Sequence, residues 1–176
     1  MIGLIGAAAV LLLVAGLAKI IRPAPTVAAL SRSRLPGRQW WGRSAAIRVF
    51  GAAEIVIGSA VLVVGGRWSS LALAAGYLLL TIVAVQLLRL SPGTDCGCFG
   101  RAQGPISRGH VIVNSAFTLA AVLCVRFPQT SMAEALSGTE AVLLVVLTLL
   151  LAWLAYLTMT ALPELTALRR NVEVER

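Results

Sequence analysis

Five long apolar runs dominate the hydrophobic pattern, and the segments between them carry most of the Pro, Gly and Arg residues. Each run is close to the roughly 20 residues with which a helix crosses the ~30 Å hydrocarbon core of a bilayer. The prolines fall between the runs or at their ends, where a missing backbone N–H does no harm. The pattern therefore predicts an all-α, polytopic membrane helix bundle of about five transmembrane helices, at 2–21, 45–64, 68–88, 110–125 and 141–162. Because the fourth run is short, a bundle of four spans is the alternative.

Composition excludes whole classes of protein. Of the 176 residues, 59% are hydrophobic and only 12% are charged, about half the charged fraction of an ordinary soluble domain. With a mean hydropathy of +0.90, a water-soluble enzyme and a disordered chain are both close to excluded. Little sequence is left for a separate soluble domain, so we expect residues 1–176 to form a single membrane domain.

The basic residues predict an orientation in the membrane. The net charge of +8 alone is compatible with nucleic-acid binding, but Arg at the ends of membrane spans is the better explanation. We therefore expect lipid headgroups as partners and no nucleic acid. With five spans, the segments 22–44, 89–109 and 163–176 share one face and hold 11 Arg, against two on the other face. The positive-inside rule then predicts an external N-terminus and a cytoplasmic C-terminus.

Two cysteines in the loop after the third run are the strongest candidates for chemistry. Cys96 and Cys98 are separated by Gly97. Such a pair can form a disulfide if the chain bends, and glycine permits the bend. A disulfide that closes so small a ring is expected to be strained and prone to exchange. The alternatives are a Cu(I) or Zn site formed by Cys96, Cys98 and His110, and no chemistry at all. Cys124, near the far end of the fourth run, is interpreted as a small apolar filler.

Three polar residues within the predicted spans, Glu54, Lys19 and Asn114, are candidates for supporting roles. An ionised Glu54 near the middle of the second span is costly unless it is buried or paired, and Gly51 and Gly58 on its helical face predict close approach of another helix. Lys19 is the obvious counter-charge, but its backbone should differ in depth by about 10 Å, so we expect Lys19 to reach outward to the headgroups instead. Asn114, one turn inside the fourth span, is expected to pack between helices or to steady the cysteine loop.

Four sequence features together resemble the MauE family, the methylamine-utilisation membrane proteins related to DoxX-type membrane proteins. They occur in the family's order over about residues 1–125, and the C-terminal helix at about 141–162 follows them. They are GLAKIIRP at 16–23, AAEIVIG at 52–58, DCGCFG at 95–100 and an Asn at position 114. The family often has Arg directly before that Asn, where this chain has Val113.

The resemblance implies redox-associated work in a bacterial plasma membrane. Family members are thought to help form or maintain disulfides in an exported client, together with a thioredoxin-like protein. Cys96 and Cys98 would then be the exchanging pair of a thiol–disulfide oxidoreductase, supported by Glu54, Lys19 and Asn114. No cofactor is evident; a quinone is a candidate electron acceptor, but no feature of the sequence supports it.

Two rival hypotheses remain open from the sequence. A metal-handling membrane protein would use the same cysteines as ligands, and a non-catalytic scaffold would not need them. The Arg distribution also conflicts with the implied role, because it predicts a cytoplasmic cysteine loop whereas exported clients fold outside. A loop that dips into the membrane, exchange with cytoplasmic thiols, or a different number of spans would each resolve this conflict.

Overall fold

The computed structural model describes residues 1–32, 42–90, 97–99, 106–128, 130–137 and 141–174, with only the backbone at 32 and 162–174. In these segments the regular structure is helical. The helices are α1 (Ile2–Ile21), α2 (Ala24–Arg32), α3 (Ser44–Val63), α4 (Gly66–Leu90), α5 (Arg108–Arg126), α6 (Met132–Ala135) and α7 (Ala141–Val174).

Five of these helices are long and apolar enough to cross a membrane, as the hydrophobic pattern predicts. They are α1, α3, α4, α5 and the first part of α7, over Ala141–Ala161. The fold class is thereby confirmed. The short fourth run, predicted at 110–125, is part of a longer helix, because α5 begins at Arg108 and ends at Arg126. The chain is a multi-pass membrane protein.

Two short helices accompany the spans. α6 begins after Ser131, whose hydroxyl accepts the Glu134 backbone N–H at 3.1 Å and so caps the helix. α2 was not predicted, because it is too short for a span and contains Pro25. Proline is tolerated in the first turn of a helix, where its absent N–H has no intrahelical partner.

The last helix is longer than expected. The apolar run predicts an end near position 162, just before Pro163, whereas α7 continues to Val174. Proline removes one backbone hydrogen bond, but the segment after it consists largely of strong helix formers such as Leu, Ala, Arg and Glu. Their propensity lets the helix continue past the position at which the apolar pattern stops.

α1 lies at the centre of the bundle. Ala7, Ala8 and Ala9 point to different sides of the helix, yet all three are completely buried. α1 packs most extensively against α3 and also contacts α5 and α7, and Tyr77 of α4 donates its hydroxyl to the Ala8 carbonyl at 2.7 Å. The small side chains of α1 let the surrounding helices approach closely.

The outer surface of the bundle is apolar, and its core holds the third cysteine. Side chains such as Val56, Ile112 and Trp153 are at least 60% exposed, as expected for residues that face lipid rather than water. Cys124 is a free, fully buried thiol that packs with Phe117 and other core residues. This position fits the prediction of an apolar filler.

Candidate functional site

The site begins where α1 crosses α3. A Cβ atom added to Gly16 would lie 2.5 Å from the Gly51 carbonyl oxygen, and one added to Gly51 would lie 2.7 Å from the Gly16 carbonyl oxygen. One added to Gly58 would meet the Ala9 carbonyl at 2.9 Å, so the two helices run antiparallel. The close approach predicted from Gly51 and Gly58 is therefore confirmed, and only glycine permits it.

A buried ion pair lies beside this crossing. The Lys19 ammonium donates to both Glu54 carboxylate oxygens, at 2.9 and 2.8 Å, and each residue is only 3% exposed. The expectation that Lys19 reaches outward to the headgroups is therefore wrong. The backbones do differ in depth by about 9 Å at 1.5 Å per residue. However, helical side chains lean toward the N-terminus of their own helix, and in antiparallel helices Lys19 and Glu54 lean toward each other.

The same ammonium connects the ion pair to the cysteine motif. Lys19 Nζ lies 3.4 Å from the Cys98 carbonyl oxygen. With the two carboxylate oxygens, this carbonyl accounts for the three protons of the ammonium. The Phe50 ring lies 5.6 Å from Nζ and adds a cation–π contact. Lys19 therefore holds Glu54 and the backbone of the motif together.

Gly97 forms the bend that the sequence predicts between the cysteines. Its φ of +63° lies in the left-handed region, which glycine adopts without steric cost. Its buried carbonyl accepts the Thr26 hydroxyl at 2.7 Å. A Cβ atom here would lie 2.8 Å from the Pro25 carbonyl. The bend is thus pressed against the start of α2, and a larger residue would fit neither its backbone conformation nor the available space.

Cys98 follows in a half-buried turn and is disulfide-bonded. Cys96 lies outside the described residues. The next residue, Phe99, packs edge-on against Tyr156 of α7, with ring centroids 5.1 Å apart. The described part of the motif is therefore held on three sides by Thr26, Lys19 and Tyr156, rather than projecting from the bundle as a polar loop.

A cavity of about 210 Å³ opens beside Cys98 at this end of the bundle. Most of its wall is apolar, with Phe50 and Leu87 among the lining side chains. The polar side chains on the wall belong to Lys19, Thr26, Gln86, His110 and Asn114. A second cavity, of about 30 Å³, shares Lys19, Cys98, His110 and Asn114 with the first and reaches Tyr77.

The structure brings His110 and Asn114 to the same cavity. The His110 Nδ1 accepts the Ser107 backbone N–H at 3.3 Å, so the proton of the neutral ring is on Nε2. The Asn114 side chain is only 8% exposed, and within the described segments its carboxamide makes no hydrogen bond. Lys19, Glu54, Cys98, His110 and Asn114 therefore gather at one site, whereas a metal site that includes Cys96 extends beyond the described residues.

Thr26 and Phe50 were missed in the sequence. Neither belongs to a motif, and their roles depend on where α2 and α3 pack. A weak signal exists for Thr26, because it follows Pro23 and Pro25, which mark a helix start rather than a plain loop. His110 was singled out only as a possible metal ligand. Its contact with Ser107 had a clearer signal, since Ser107 stands three residues earlier, which is the spacing of a capping interaction.

Replacing Thr26 by Val should loosen the bend at Gly97. The buried Gly97 carbonyl would lose its partner, at a cost of about 1–3 kcal/mol, and we expect dithiothreitol to reduce the Cys98 disulfide several-fold faster. Thr81→Val is the matched control, because the Thr81 hydroxyl bonds only within α4, to Tyr77. Timed thiol labelling of both variants measures the rates. Equal rates would show that the Thr26 bond does not restrain the turn.

Comparison with known proteins gives one match. A sequence model of the family described as methylamine utilisation protein MauE matches residues 2–127, which contain every residue of the site except Tyr156. No curated protein and no solved structure matches the chain.

Proposed function

The chain belongs to the MauE family, and we propose that it is a membrane thiol–disulfide redox protein that acts through Cys96 and Cys98. The observation that carries this proposal is the turn at Cys98. It is disulfide-bonded and half-buried on a cavity wall, and the carbonyls of Gly97 and Cys98 accept Thr26 and Lys19. These contacts hold the turn in one position on the cavity wall, as a residue that reacts with a docked partner requires.

The proposed reaction is two-step thiol–disulfide exchange. The thiolate of one cysteine attacks a partner's disulfide, which forms a mixed disulfide and releases one partner thiol. The second cysteine then attacks the mixed disulfide, so that Cys96 and Cys98 become disulfide-bonded and the partner leaves with two thiols. Run in reverse, the same steps oxidise a client dithiol. Lys19 and Glu54 act as positioning residues for the Cys98 backbone. Asn114 has a supporting role as a polar residue on the wall of the cavity beside Cys98.

The setting of this chemistry is part of the proposal. We infer a bacterial plasma membrane, a single domain over residues 1–176, and an external N-terminus with a cytoplasmic tail, as the Arg distribution predicts. The partners are a thioredoxin-like redox protein and an exported client, as the family resemblance implies. The described turn packs inward against the bundle. This position supports a route by which an external client could reach the cysteines through the bundle, even though the Arg distribution predicts a cytoplasmic cysteine loop.

A redox titration tests the proposed function. The purified chain is equilibrated in dithiothreitol buffers of graded potential and then labelled with maleimide. We expect Cys96 and Cys98 to titrate together as one two-electron couple, and Cys124 to stay unlabelled because it is buried. Cys124→Ser is the matched control and should leave the titration unchanged, whereas Cys96→Ser and Cys98→Ser should each abolish it.

The other outcomes separate the rival functions. A double Cys96→Ser/Cys98→Ser variant that retains full function in cells would support the scaffold. Copper or zinc that copurifies in stoichiometric amount, and is lost in the same variant, would support metal handling. Labelling of reduced whole cells with a membrane-impermeant maleimide tests the orientation in the same samples. We expect Cys96 and Cys98 to be labelled only after permeabilisation. If they are labelled in intact cells, the cysteine loop is external and the proposed orientation is wrong.

A further inference from the structure

We propose that the cavity beside Cys98 binds the head group of a lipid-soluble quinone, which accepts the electrons of the cysteine pair. This inference rests on the proposed function, since it assigns the oxidant for the same site. Three observations carry it: the cavity reaches the lipid-facing surface, polar groups lie along its wall, and Cys98 is one of its lining residues.

The cavity is accessible to a lipid-soluble ligand. Leu79 and Ile82 of α4 line it and are also 40% and 45% exposed on the outer surface of the bundle. In a multi-pass membrane protein that surface faces lipid, so an apolar tail can extend from the cavity into the bilayer. The volume of about 210 Å³ suits one substituted ring rather than a large hydrophilic substrate.

The polar groups suit a ring that carries carbonyl oxygens. Asn114 lines the cavity and its carboxamide makes no hydrogen bond to the described residues, so its amide is available to a ligand there. One helical turn before it, His110 carries its ring proton on Nε2, because Nδ1 accepts from Ser107. Gln86 adds a third neutral donor. Neutral donors in an apolar cavity recognise carbonyl groups, whereas an acyl chain makes no use of them.

The electron balance is complete with a quinone. The dithiol form of Cys96 and Cys98 loses two electrons and two protons and becomes a disulfide. The quinone gains the same two electrons and two protons and becomes a quinol. The quinol then leaves into the lipid, and the disulfide is ready to oxidise the next dithiol.

Reduction of decylubiquinone by the full-length chain is the direct test. The purified protein is first reduced, freed of reductant and mixed with decylubiquinone in detergent. We expect one equivalent of quinol for each disulfide formed. Ala84 lines the cavity and is 4% exposed, so Ala84→Phe should fill it and slow quinol formation at least tenfold. Ala75→Phe is the matched control on the exposed side of the same helix and should have no effect.

Asn114→Leu keeps the experiment informative if Ala84→Phe does not fold. We expect this variant to raise the quinone concentration needed for half-maximal rate by about tenfold or more. Photolabelling of the unmodified protein with an azido-quinone should mark residues of the cavity wall and be competed by decylubiquinone. Labelling that phospholipid competes away but decylubiquinone does not would overturn the proposal and identify a lipid site.

The two proposals fail in different ways. If the protein titrates with dithiothreitol but forms no quinol, the quinone proposal is wrong and the redox function stands. If the cysteines show no titration in dithiothreitol buffers, both proposals are wrong.

Discussion

Replacing Lys19 by Met should lower the free energy of unfolding by about 3–5 kcal/mol, because it leaves Glu54 charged and buried without its partner. Glu54→Leu should cost a similar amount, since it strands the Lys19 ammonium. Both residues are only 3% exposed, so water cannot replace the lost contact. Denaturant titration in detergent, followed by tryptophan fluorescence, measures the change.

The double variant Lys19→Met/Glu54→Leu separates the ion pair from general effects of substitution. Removing both charges leaves no stranded group, so we expect the double variant to be more stable than either single variant. Arg67→Met is a matched control that removes one positive charge from an exposed position and should change stability by less than about 0.5 kcal/mol. Additive losses in the double variant would mean that the two side chains do not stabilise each other.

Replacing Gly16 by Ala should force α1 and α3 apart. The new methyl group would lie 2.5 Å from the Gly51 carbonyl oxygen and 2.9 Å from Ile55 Cγ1. The Gly51 carbonyl belongs to the backbone and cannot rotate away. Overpacking of this kind costs about 1–3 kcal/mol, and the movement would also separate Lys19 from Glu54. The same denaturant titration should therefore show a marked loss of stability.

Gly76→Ala is the matched control for this substitution. Gly76 also lies within a spanning helix, but its nearest contact for an added Cβ is Ile57 at 3.9 Å, which is ordinary packing distance. Alanine is the better helix former by about 1 kcal/mol, so we expect this variant to equal or exceed the parent in stability. A loss as large as that of Gly16→Ala would show that the crossing of α1 and α3 is no more sensitive than the rest of the bundle.

The five spans could be predicted because each is a run of about the length that crosses a bilayer, and that signal needs no knowledge of packing. α2 and the continuation of α7 to Val174 could not, because they depend on local propensity around Pro25 and Pro163 rather than on hydrophobicity. Helix ends that follow an apolar pattern are therefore more predictable than helix ends within polar sequence.

Several residues that gather at the candidate site could be singled out from the sequence, but the contacts between them could not. The presence of glycine at positions 51 and 97 predicted the close helix crossing and the bend between the cysteines. Glycine is required where backbone approaches backbone closely and is favoured where φ is positive. The Lys19–Glu54 pair was missed because depth was inferred from backbone positions, without the lean of the side chains. The cavity had no sequence signal, since its wall is assembled from six separate stretches of the chain.

The neutrality of the Lys19–Glu54 pair has a consequence for an energised membrane. A single charge that crosses the whole bilayer experiences about 2.3 kcal/mol per 100 mV of transmembrane voltage. In the pair, the two opposite charges lie 2.8 Å apart, so the voltage acts on them in opposite directions and its effects nearly cancel. The electric field therefore exerts almost no net pull on the ion pair whose lysine holds the Cys98 carbonyl. The cysteine turn keeps its support whether the membrane is polarised or not.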